Sequence, residues 1–128
     1  MTKIDDDSEH DLVVSIINYR TGPLTIACAE SALAAADGMN AHIVIVDNFS
    51  NDGSAEQIAD WVAGLGANAP ITLVRSPVNT GFAAGHNQGV RARKAKAYVL
   101  LNSDGLVRPG ALRTLLAAAE AHPDAGVI

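Results

Sequence analysis

Two acidic residues follow apolar runs at places where a carboxylate could meet a ligand. Asp47 comes directly after Ile43-Val44-Ile45-Val46, and Asp104 ends the run Leu100-Leu101-Asn102-Ser103-Asp104. One carboxylate together with diphosphate oxygens and water is a usual way to hold a hard divalent cation, so Asp104 is a candidate metal ligand. Structural alternatives stay open: Asp104 in an Asx turn or as an acid at the amino end of the helix that begins near Pro109, and Asp47 as the organiser of the turn 47–53.

The elements that would position these carboxylates alternate along the chain. Apolar, β-branched runs predict strands over 12–17, 43–46, 71–74 and 98–101, and a fifth that opens at Gly126-Val127-Ile128. The predicted helices begin at Gly22-Pro23, at a capping box of Ser54 with Gln57, at Ala84 (to Ala95) and at Pro109 (to Pro123). This alternation predicts an α/β fold with three layers, α/β/α, around a mostly parallel, Rossmann-like sheet that is cut short.

Polar residues collect after the predicted strands. They are Asn18, Tyr19 and Arg20; Asp47, Asn48 and Ser50; Asn79, Thr80 and Gly81; and Asn102, Ser103, Asp104 and Gly105. Because open α/β sheets bind ligands outside the carboxyl ends of their strands, the sequence predicts a ligand crevice there. The glycine signatures of dinucleotide folds and P-loops are absent, and glycines at 81, 85 and 89 are as consistent with close helix packing as with a ligand.

Composition narrows the class of protein. The chain has 128 residues, 48% of them hydrophobic, and a net charge of -5, which fits one globular domain. We expect an acidic, flexible tail over residues 1–11 and a domain over 12–128. The start lacks the features of a signal peptide and no apolar run could span a membrane, so a cytoplasmic location is expected. The single cysteine, Cys28, is expected to be a small buried side chain.

Basic residues and histidines add little to these expectations. The one basic cluster, Arg91, Arg93, Lys94 and Lys96, lacks interleaved aromatics and is interpreted as an exposed helix end, so no nucleic-acid partner is expected. His86 could donate a hydrogen bond to a diphosphate. The other histidines, at 10, 42 and 122, are expected at the surface or its boundary.

Four segments in order resemble family 2 glycosyltransferases of the GT-A fold, and most of all their rhamnosyltransferase-like branch. They are Val-Ser-Ile-Ile-Asn-Tyr-Arg (14–20), Val-Ile-Val-Asp-Asn-Phe-Ser-Asn-Asp-Gly-Ser (44–54), Asn-Thr-Gly-Phe-Ala-Ala-Gly-His-Asn-Gln-Gly (79–89) and Leu-Leu-Asn-Ser-Asp-Gly-Leu-Val-Arg-Pro-Gly-Ala-Leu (100–112). The resemblance covers nearly all of residues 12–128 and implies a nucleotide-sugar-binding half of a GT-A domain.

The resemblance also implies roles for single residues. Asn18, Tyr19 and Asn48 would line the nucleotide pocket, and Asp47 would accept a hydrogen bond from the base, as suits uracil or thymine. Gly81 and Asn87 would lie near base and diphosphate. Asn102-Ser103-Asp104 matches a metal-binding turn that is commonly Asn-Pro-Asp, with Asp104 as the ligand of Mg²⁺ or Mn²⁺ and Ser103 in the place of proline.

The implied activity is inverting transfer from a nucleotide-diphospho-sugar, with dTDP-rhamnose favoured and UDP-sugars next. The acceptor would be a polysaccharide or a lipid-linked glycan, and the full-length protein could associate peripherally with a membrane. The general base is expected beyond Ile128, since Glu120 and Asp124 look like surface residues, so this chain alone is expected to transfer nothing. Two alternatives remain: a non-catalytic nucleotide-binding module, and a receiver-like signalling domain with Asp47 as phosphoacceptor.

Overall fold

A computed structural model describes residues 9–128, which form four strands and four helices in strict alternation. The elements are β1 (His10–Asn18), α1 (Gly22–Ala35), β2 (Ala41–Asp47), α2 (Ser54–Gly64), β3 (Ile71–Arg75), α3 (Gly81–Ala92), β4 (Ala95–Leu101) and α4 (Ala111–Ala121). The strands are all parallel and lie in the order β3-β2-β1-β4. The expected α/β fold with a parallel sheet is confirmed.

Alternate residues of β1 divide the core into two layers. Leu12, Val14 and Ile16 pack with α1, α2 and α4 in the larger cluster, while Val13 belongs to a smaller cluster on the opposite face. Helix α3 covers that opposite face and contacts β1, β2 and β3. The sheet is therefore enclosed between two helical layers, although the α3 layer does not extend over β4, where Leu100 is 54% exposed.

Two glycines of α3 lie directly against the sheet. A Cβ on Gly85 would stand 2.9 Å from Ile17 Cδ1, and a Cβ on Gly89 would stand 3.2 Å from Ser15 Cβ and collide with the Ser15 hydroxyl. The spacing of four residues therefore serves close packing of α3 on β1, which was one of the two interpretations of these glycines.

Several element boundaries differ from those predicted. Strand β1 begins at His10, inside the predicted tail, of which residues 1–8 lie outside the described part. Helix α3 begins at Gly81 rather than at residue 84, and Ala95 opens β4 instead of ending the helix. The start of α3 was missed because its first turn is held by asparagine side chains: Asn48 Oδ1 accepts from Thr80 N and Asn79 Oδ1 accepts from Gly81 N, both at 2.9 Å.

Two local predictions are wrong. Ser54 and Gln57 do not form a capping box: Gly53 is the residue before α2, at φ +89°, and the carboxylate of Asp52 accepts the Ser54 N–H at 2.9 Å instead. The fifth strand is not formed, because residues 126–128 pair with no strand of the described chain and Val127 is 92% exposed. No helix among residues 9–128 combines the length and the apolarity that crossing a bilayer requires.

His42 is buried within β2, although a position at the surface or its boundary was expected for it. Its Nε2 lies 2.7 Å from Thr72 Oγ1, and its ring lies beside that of His10, with centroids 5.3 Å apart. Burial, with smaller contributions from the charges of Arg93 and His10, lowers the pKa of His42 to about 4. The folded chain therefore holds His42 neutral at pH values where the unfolded chain protonates it.

Acid should accordingly destabilise the fold through His42. The part of the free energy of unfolding that depends on neutral His42 is fully present above the ordinary pKa of 6.5. It is lost as the pH falls from there toward 4, by as much as about 3 kcal/mol. Urea unfolding at pH 7, 6, 5 and 4 measures this loss. His42→Gln should make the dependence shallower, and what remains includes the contribution of buried His86. His122→Gln, at an exposed position, should leave the curve as steep as in the wild type; equal curves for both variants would contradict this account.

Close packing of α3 on β1 predicts a cost for any side chain at residue 89. Gly89→Ala should destabilise the fold by about 1–3 kcal/mol, because the added methyl group displaces Ser15. Gly64→Ala is the matched control: Gly64 also lies in a helix, its added Cβ meets nothing within 4 Å, and it should be neutral or stabilising by up to about 1 kcal/mol. Chemical denaturation of both variants tests the difference.

Candidate functional site

The carboxyl ends of the four strands bring the predicted polar residues to one edge of the sheet. Asn18 ends β1 beside Asp47 at the end of β2, with the two residues paired in register. Asn102, Ser103 and Asp104 follow β4, which lies on the other side of β1. Asp47 and Asp104 therefore flank β1 on its two sides, as the predicted crevice requires.

Asn18 is the centre of a buried hydrogen-bond network. Its side chain is fully buried, and its Nδ2 donates to Asp47 Oδ1 at 2.8 Å. The same nitrogen reaches the hydroxyls of Ser50 at 3.1 Å and Ser54 at 2.9 Å. Its Oδ1 accepts from the hydroxyls of Thr25, at 2.8 Å, and Thr21, at 3.2 Å. Asn18 therefore does not line a pocket; it joins the β1–α1 loop, α1 and the β2–α2 loop.

Asp47 is 4% exposed and is shared between this network and a cavity. Its Oδ1 accepts from Asn18 and from the Ser50 hydroxyl at 2.6 Å, whereas its Oδ2 accepts only the Ser50 N–H at 3.3 Å. Asp47 thus organises its turn, as the structural alternative held. Its Oδ2 retains acceptor capacity. Asp47 also lines a cavity of about 260 Å³, together with Phe49, Asn51, Gly53, Ala55, Glu56, Arg75 and Ser76.

Two loops at this edge contain left-handed residues other than glycine. Arg20 has φ +59°, and Phe49 and Asn51 have φ +61° and +52°. Arg20 is held there by two bonds to one residue, from its N–H to Ser50 Oγ at 2.9 Å and from its Nε to Ser50 O at 3.0 Å. Its guanidinium also lies 5.2 Å from the ring centre of Tyr19, which is 42% exposed. Backbone strain of this kind concentrates at functional sites, where the surrounding contacts enforce it.

Asn48 performs on the α3 side the role that Asn18 performs on the α1 side. It is 3% exposed, its Nδ2 donates to Gly81 O at 3.0 Å, and its Oδ1 accepts from Thr80. It therefore anchors the first turn of α3 and has little capacity left for a ligand. Gly81, at φ +83°, and Asn87 are both exposed at the surface of α3.

His86 is buried and is not presented to a ligand. It is 2% exposed, its Nδ1 lies 2.8 Å from Ser15 Oγ, and its ring packs edge-on against Phe82 with centroids 4.6 Å apart. Its Nε2 is buried without a hydrogen-bond partner, and burial lowers the pKa of the imidazole. The expected hydrogen bond to a diphosphate is therefore wrong, because the side chain points into the packing between α3 and β1.

The turn after β4 exposes a carboxylate on a fixed backbone. Gly105 N donates to Asn102 O at 3.0 Å, and Asp104 and Asn102 are exposed. Beneath the turn lies Cys28, which is fully buried as expected; burial, and then the charge of Asp104, raises the pKa of its thiol to about 11. Asp104 is thus available to a cation from solvent, while Cys28 stays a protonated, inert thiol.

The described residues offer no complete metal cage. Within 9–128 no three His, Cys, Asp or Glu side chains come together. A magnesium or manganese ion commonly takes one or two protein carboxylates and completes its shell with phosphate oxygens and water. A lone exposed carboxylate at the strand edge fits a cation of that kind and does not fit a structural metal site.

Sequence reasoning missed the hydroxyl groups that build the network. Thr21 and Thr25 follow Asn18 by three and seven residues, and Ser50 and Ser54 follow Asp47 by three and seven. That repeated spacing was the available signal. In each case it places one hydroxyl in the loop and one in the first turn of the helix, and both can reach the end of the preceding strand. Arg75 and Ser76, which line the cavity, were missed because neither belongs to a recognised motif.

Comparison with known sequences identifies the family of the domain. The profile of Glycosyl transferase family 2 matches residues 12–128. The succinoglycan biosynthesis protein ExoO of Rhizobium meliloti (strain 1021) is 27% identical over 115 residues, which cover 90% of this chain and 31% of that protein. The chain therefore spans about a third of the length of this relative.

Solved structures share the fold. The mannosyltransferase PcManGT of Pyrobaculum calidifontis, in complex with GDP-Man and Mn²⁺, has a TM-score of 0.73 and 23% identity, covering 91% of this chain and 33% of that one. The S. aureus protein TarS (1–349), in complex with UDP-GlcNAc, has a TM-score of 0.73 and 15% identity, covering 88% and 32%. At these identities the likeness concerns the fold alone, and it agrees with the predicted GT-A architecture.

The Asn18 network predicts a strong dependence of stability on one amide group. Asn18→Asp keeps the shape of the side chain but replaces the donor toward Asp47 with a second carboxylate oxygen 2.8 Å away. It should destabilise the fold by at least about 2 kcal/mol, since a buried bond is lost and two acidic groups face each other. The matched change Asn87→Asp, at an exposed position, should have little effect on chemical denaturation. Equal midpoints for the two variants would refute the central place of Asn18.

Proposed function

Because the chain belongs to glycosyl transferase family 2, we propose that it is the donor-binding part of an inverting glycosyltransferase that uses a nucleotide-diphospho-sugar. One observation carries the proposal: at the carboxyl edge of the sheet, a buried carboxylate beside a cavity and an exposed carboxylate on a fixed turn flank the same strand, β1. A nucleotide-sugar donor has one part for each carboxylate: a base whose N–H groups donate hydrogen bonds, and a diphosphate that attracts cations.

The base of the donor is proposed to enter the cavity beside Asp47. Oδ2 of Asp47 has the free acceptor capacity that an imide N–H requires, and Phe49, with 47% of its surface exposed, offers a ring for stacking. Uracil and thymine both carry such an imide. Between them, only the resemblance to the rhamnosyltransferase-like branch favours dTDP-rhamnose, with UDP-sugars next. Guanine also presents a ring N–H beside a carbonyl, so a guanine nucleotide belongs in the test.

The diphosphate is proposed to lie between Tyr19 and the turn that carries Asp104. Mg²⁺ or Mn²⁺ held by Asp104 would neutralise negative charge on the diphosphate. Asn102, exposed on the same turn, and Asn87, exposed on α3, would donate amide hydrogen bonds to phosphate or sugar oxygens. Asn48 and Gly81 would contribute by fixing the start of α3.

The general base and the acceptor site are proposed to belong to a part of the protein beyond this chain. Glu120, in the last turn of α4, lines a cavity with Asp11, near the start of β1, so it lies at the amino edge of the sheet, opposite the strand ends. Asp124 follows the end of α4. The chain spans about a third of the length of ExoO, which is named as a succinoglycan biosynthesis protein. We therefore propose a polysaccharide or a lipid-linked glycan as the acceptor. We also propose that this chain alone transfers no sugar.

Calorimetric titration with UDP, dTDP and GDP, each with and without Mn²⁺, tests the donor site. We expect a pyrimidine diphosphate to bind. Mn²⁺ should tighten its binding by about tenfold or more, because the cation links two negatively charged groups, the Asp104 carboxylate and the diphosphate. Asp104→Asn should abolish the effect of Mn²⁺ and leave binding without metal unchanged. Asp124→Asn, the matched change at an exposed acid, should retain both.

The base contact is tested by Asp47→Asn, which can keep the Oδ1 acceptor that Asn18 and Ser50 need. It replaces Oδ2, which also accepts the long Ser50 N–H bond of 3.3 Å, with an amide nitrogen. It should lower affinity about tenfold with or without metal, as expected for one lost hydrogen bond to a charged group. A folded wild-type chain that binds none of the three nucleotides would refute the proposed function. Tight binding by Asp47→Asn would refute the base contact alone.

A further inference from the structure

Helix α1 holds the segment after β4 at three points. Ser103 Oγ lies 3.2 Å from Thr21 Oγ1, at the start of the helix. Cys28 Sγ donates to Asn102 O at 3.5 Å, and Ser31 Oγ accepts the N–H of Val107 at 2.9 Å. Residues 28 and 31 follow Thr21 by two and nearly three helical turns, so the three contacts form one row along α1. The segment that carries Asp104 is docked along that row.

The first of these contacts also reaches the buried network. Thr21 Oγ1 donates to Asn18 Oδ1 at 3.2 Å, and Asn18 Nδ2 donates to Asp47 Oδ1 at 2.8 Å. Thr21 Oγ1 also lies 3.2 Å from Thr25 Oγ1, and a threonine hydroxyl has one proton; when Thr21 gives it to Asn18, the Ser103 hydroxyl is the donor toward Thr21. A chain of hydrogen bonds therefore runs from Ser103 through Thr21 and Asn18 to Asp47.

We propose that Thr21 and Ser103 are positioning residues that couple the two ends of the donor site, so that recognition of the base at Asp47 and metal-dependent binding of the diphosphate at Asp104 strengthen each other. The inference rests on the function proposed above. Neither residue touches the donor; each acts through a neighbour, Thr21 through Asn18 and Ser103 through the backbone of Asp104.

The physical basis is the cost of ordering an exposed carboxylate. Asp104 lies on a solvent-facing turn, and any freedom of that turn must be given up when a cation is held between it and a diphosphate. The Ser103 bond removes part of that freedom before binding. Because its other end is fixed to the residue that holds Asp47, the turn is fixed relative to the base site and not merely to α1. Two sites joined in this way share a coupling free energy that is reciprocal.

Serine at residue 103 supplies by a side-chain bond the rigidity that a proline would supply by its ring. The hydrogen-bond partner of the Ser103 hydroxyl is Thr21 Oγ1, which faces the turn from the residue before α1. Ser103→Ala removes the hydroxyl and keeps the Cβ. Ser103→Thr keeps a hydroxyl on the same Cβ and is the rescue variant.

The test measures UDP affinity of the full chain with and without Mn²⁺. In Ser103→Ala, UDP affinity without metal should stay within about twofold, whereas the factor by which Mn²⁺ tightens UDP binding should fall about three- to tenfold, as for one lost neutral hydrogen bond. Ser103→Thr should restore it. Thr21→Val combined with Ser103→Ala should lower the Mn²⁺ factor no further than the stronger single variant. Thr114→Val, which removes an exposed hydroxyl bonded to Gly110 O of its own helix end, is the matched control.

A second readout needs no ligand. The amide of Gly105 closes the turn on Asn102 O, and its hydrogen exchange should be faster in Ser103→Ala than in the wild type or in Thr114→Val. If Ser103→Ala keeps the full Mn²⁺ factor and an unchanged Gly105 exchange rate, the coupling is refuted while the donor site stands. If the folded wild-type chain binds no UDP in either condition, the donor site is refuted and the coupling with it.

Discussion

The amide of Asn18 is the interaction on which the rest of the site depends. A buried amide must have its donors and acceptor satisfied, and here they are met by hydroxyls and a carboxylate from the end of β2, two loops and the first turns of α1 and α2. The ends of β1 and β2 cannot slide past each other, nor can α1 shift along the sheet, without leaving one of these groups unpaired. Apolar packing under α1 sets the distance between layers, but it has no such directional requirement.

Asn48 imposes a similar requirement on the other side of the sheet. Its three bonds to residues 80 and 81 join the end of β2 to the start of α3, and the glycines at 85 and 89 then let α3 lie close on β1. The two asparagines thus stand at the ends of adjacent strands and restrain opposite helical layers. The carboxyl edge of the sheet therefore contains most of the buried polar residues, and hydrogen bonds join them across loops and helices, which suits a site that must hold a large, charged ligand in one pose.

The sequence alone was sufficient for the architecture, because that depends on patterns that local residues carry. Apolar runs at 12–17 and 43–46 and the intervening helices were enough to predict a parallel sheet, and motif order was enough to predict the family. The errors lie where a distant residue decides. Helix α3 begins early because Asn48 caps it from another loop, Ser54 is used by Asn18 rather than by its own helix, and His42 is buried because the neighbouring strand provides Thr72.

The same distinction separates the two carboxylates. The position of Asp104 was predictable, because a turn that follows an apolar strand must reach the surface whatever surrounds it. The environment of Asp47 was not, because it combines the hydroxyl and N–H of Ser50, 3 residues away, with the amide of Asn18, 29 residues away, and these groups converge only in the fold. Asp47 is suited to a single directional contact, because its Oδ1 is fully engaged in hydrogen bonds and its Oδ2 is nearly free. An acid on an exposed turn is suited to a cation, which imposes little direction of its own. The network around Asn18 joins these two kinds of contact, because it holds Asp47 directly and reaches the turn of Asp104 through Thr21.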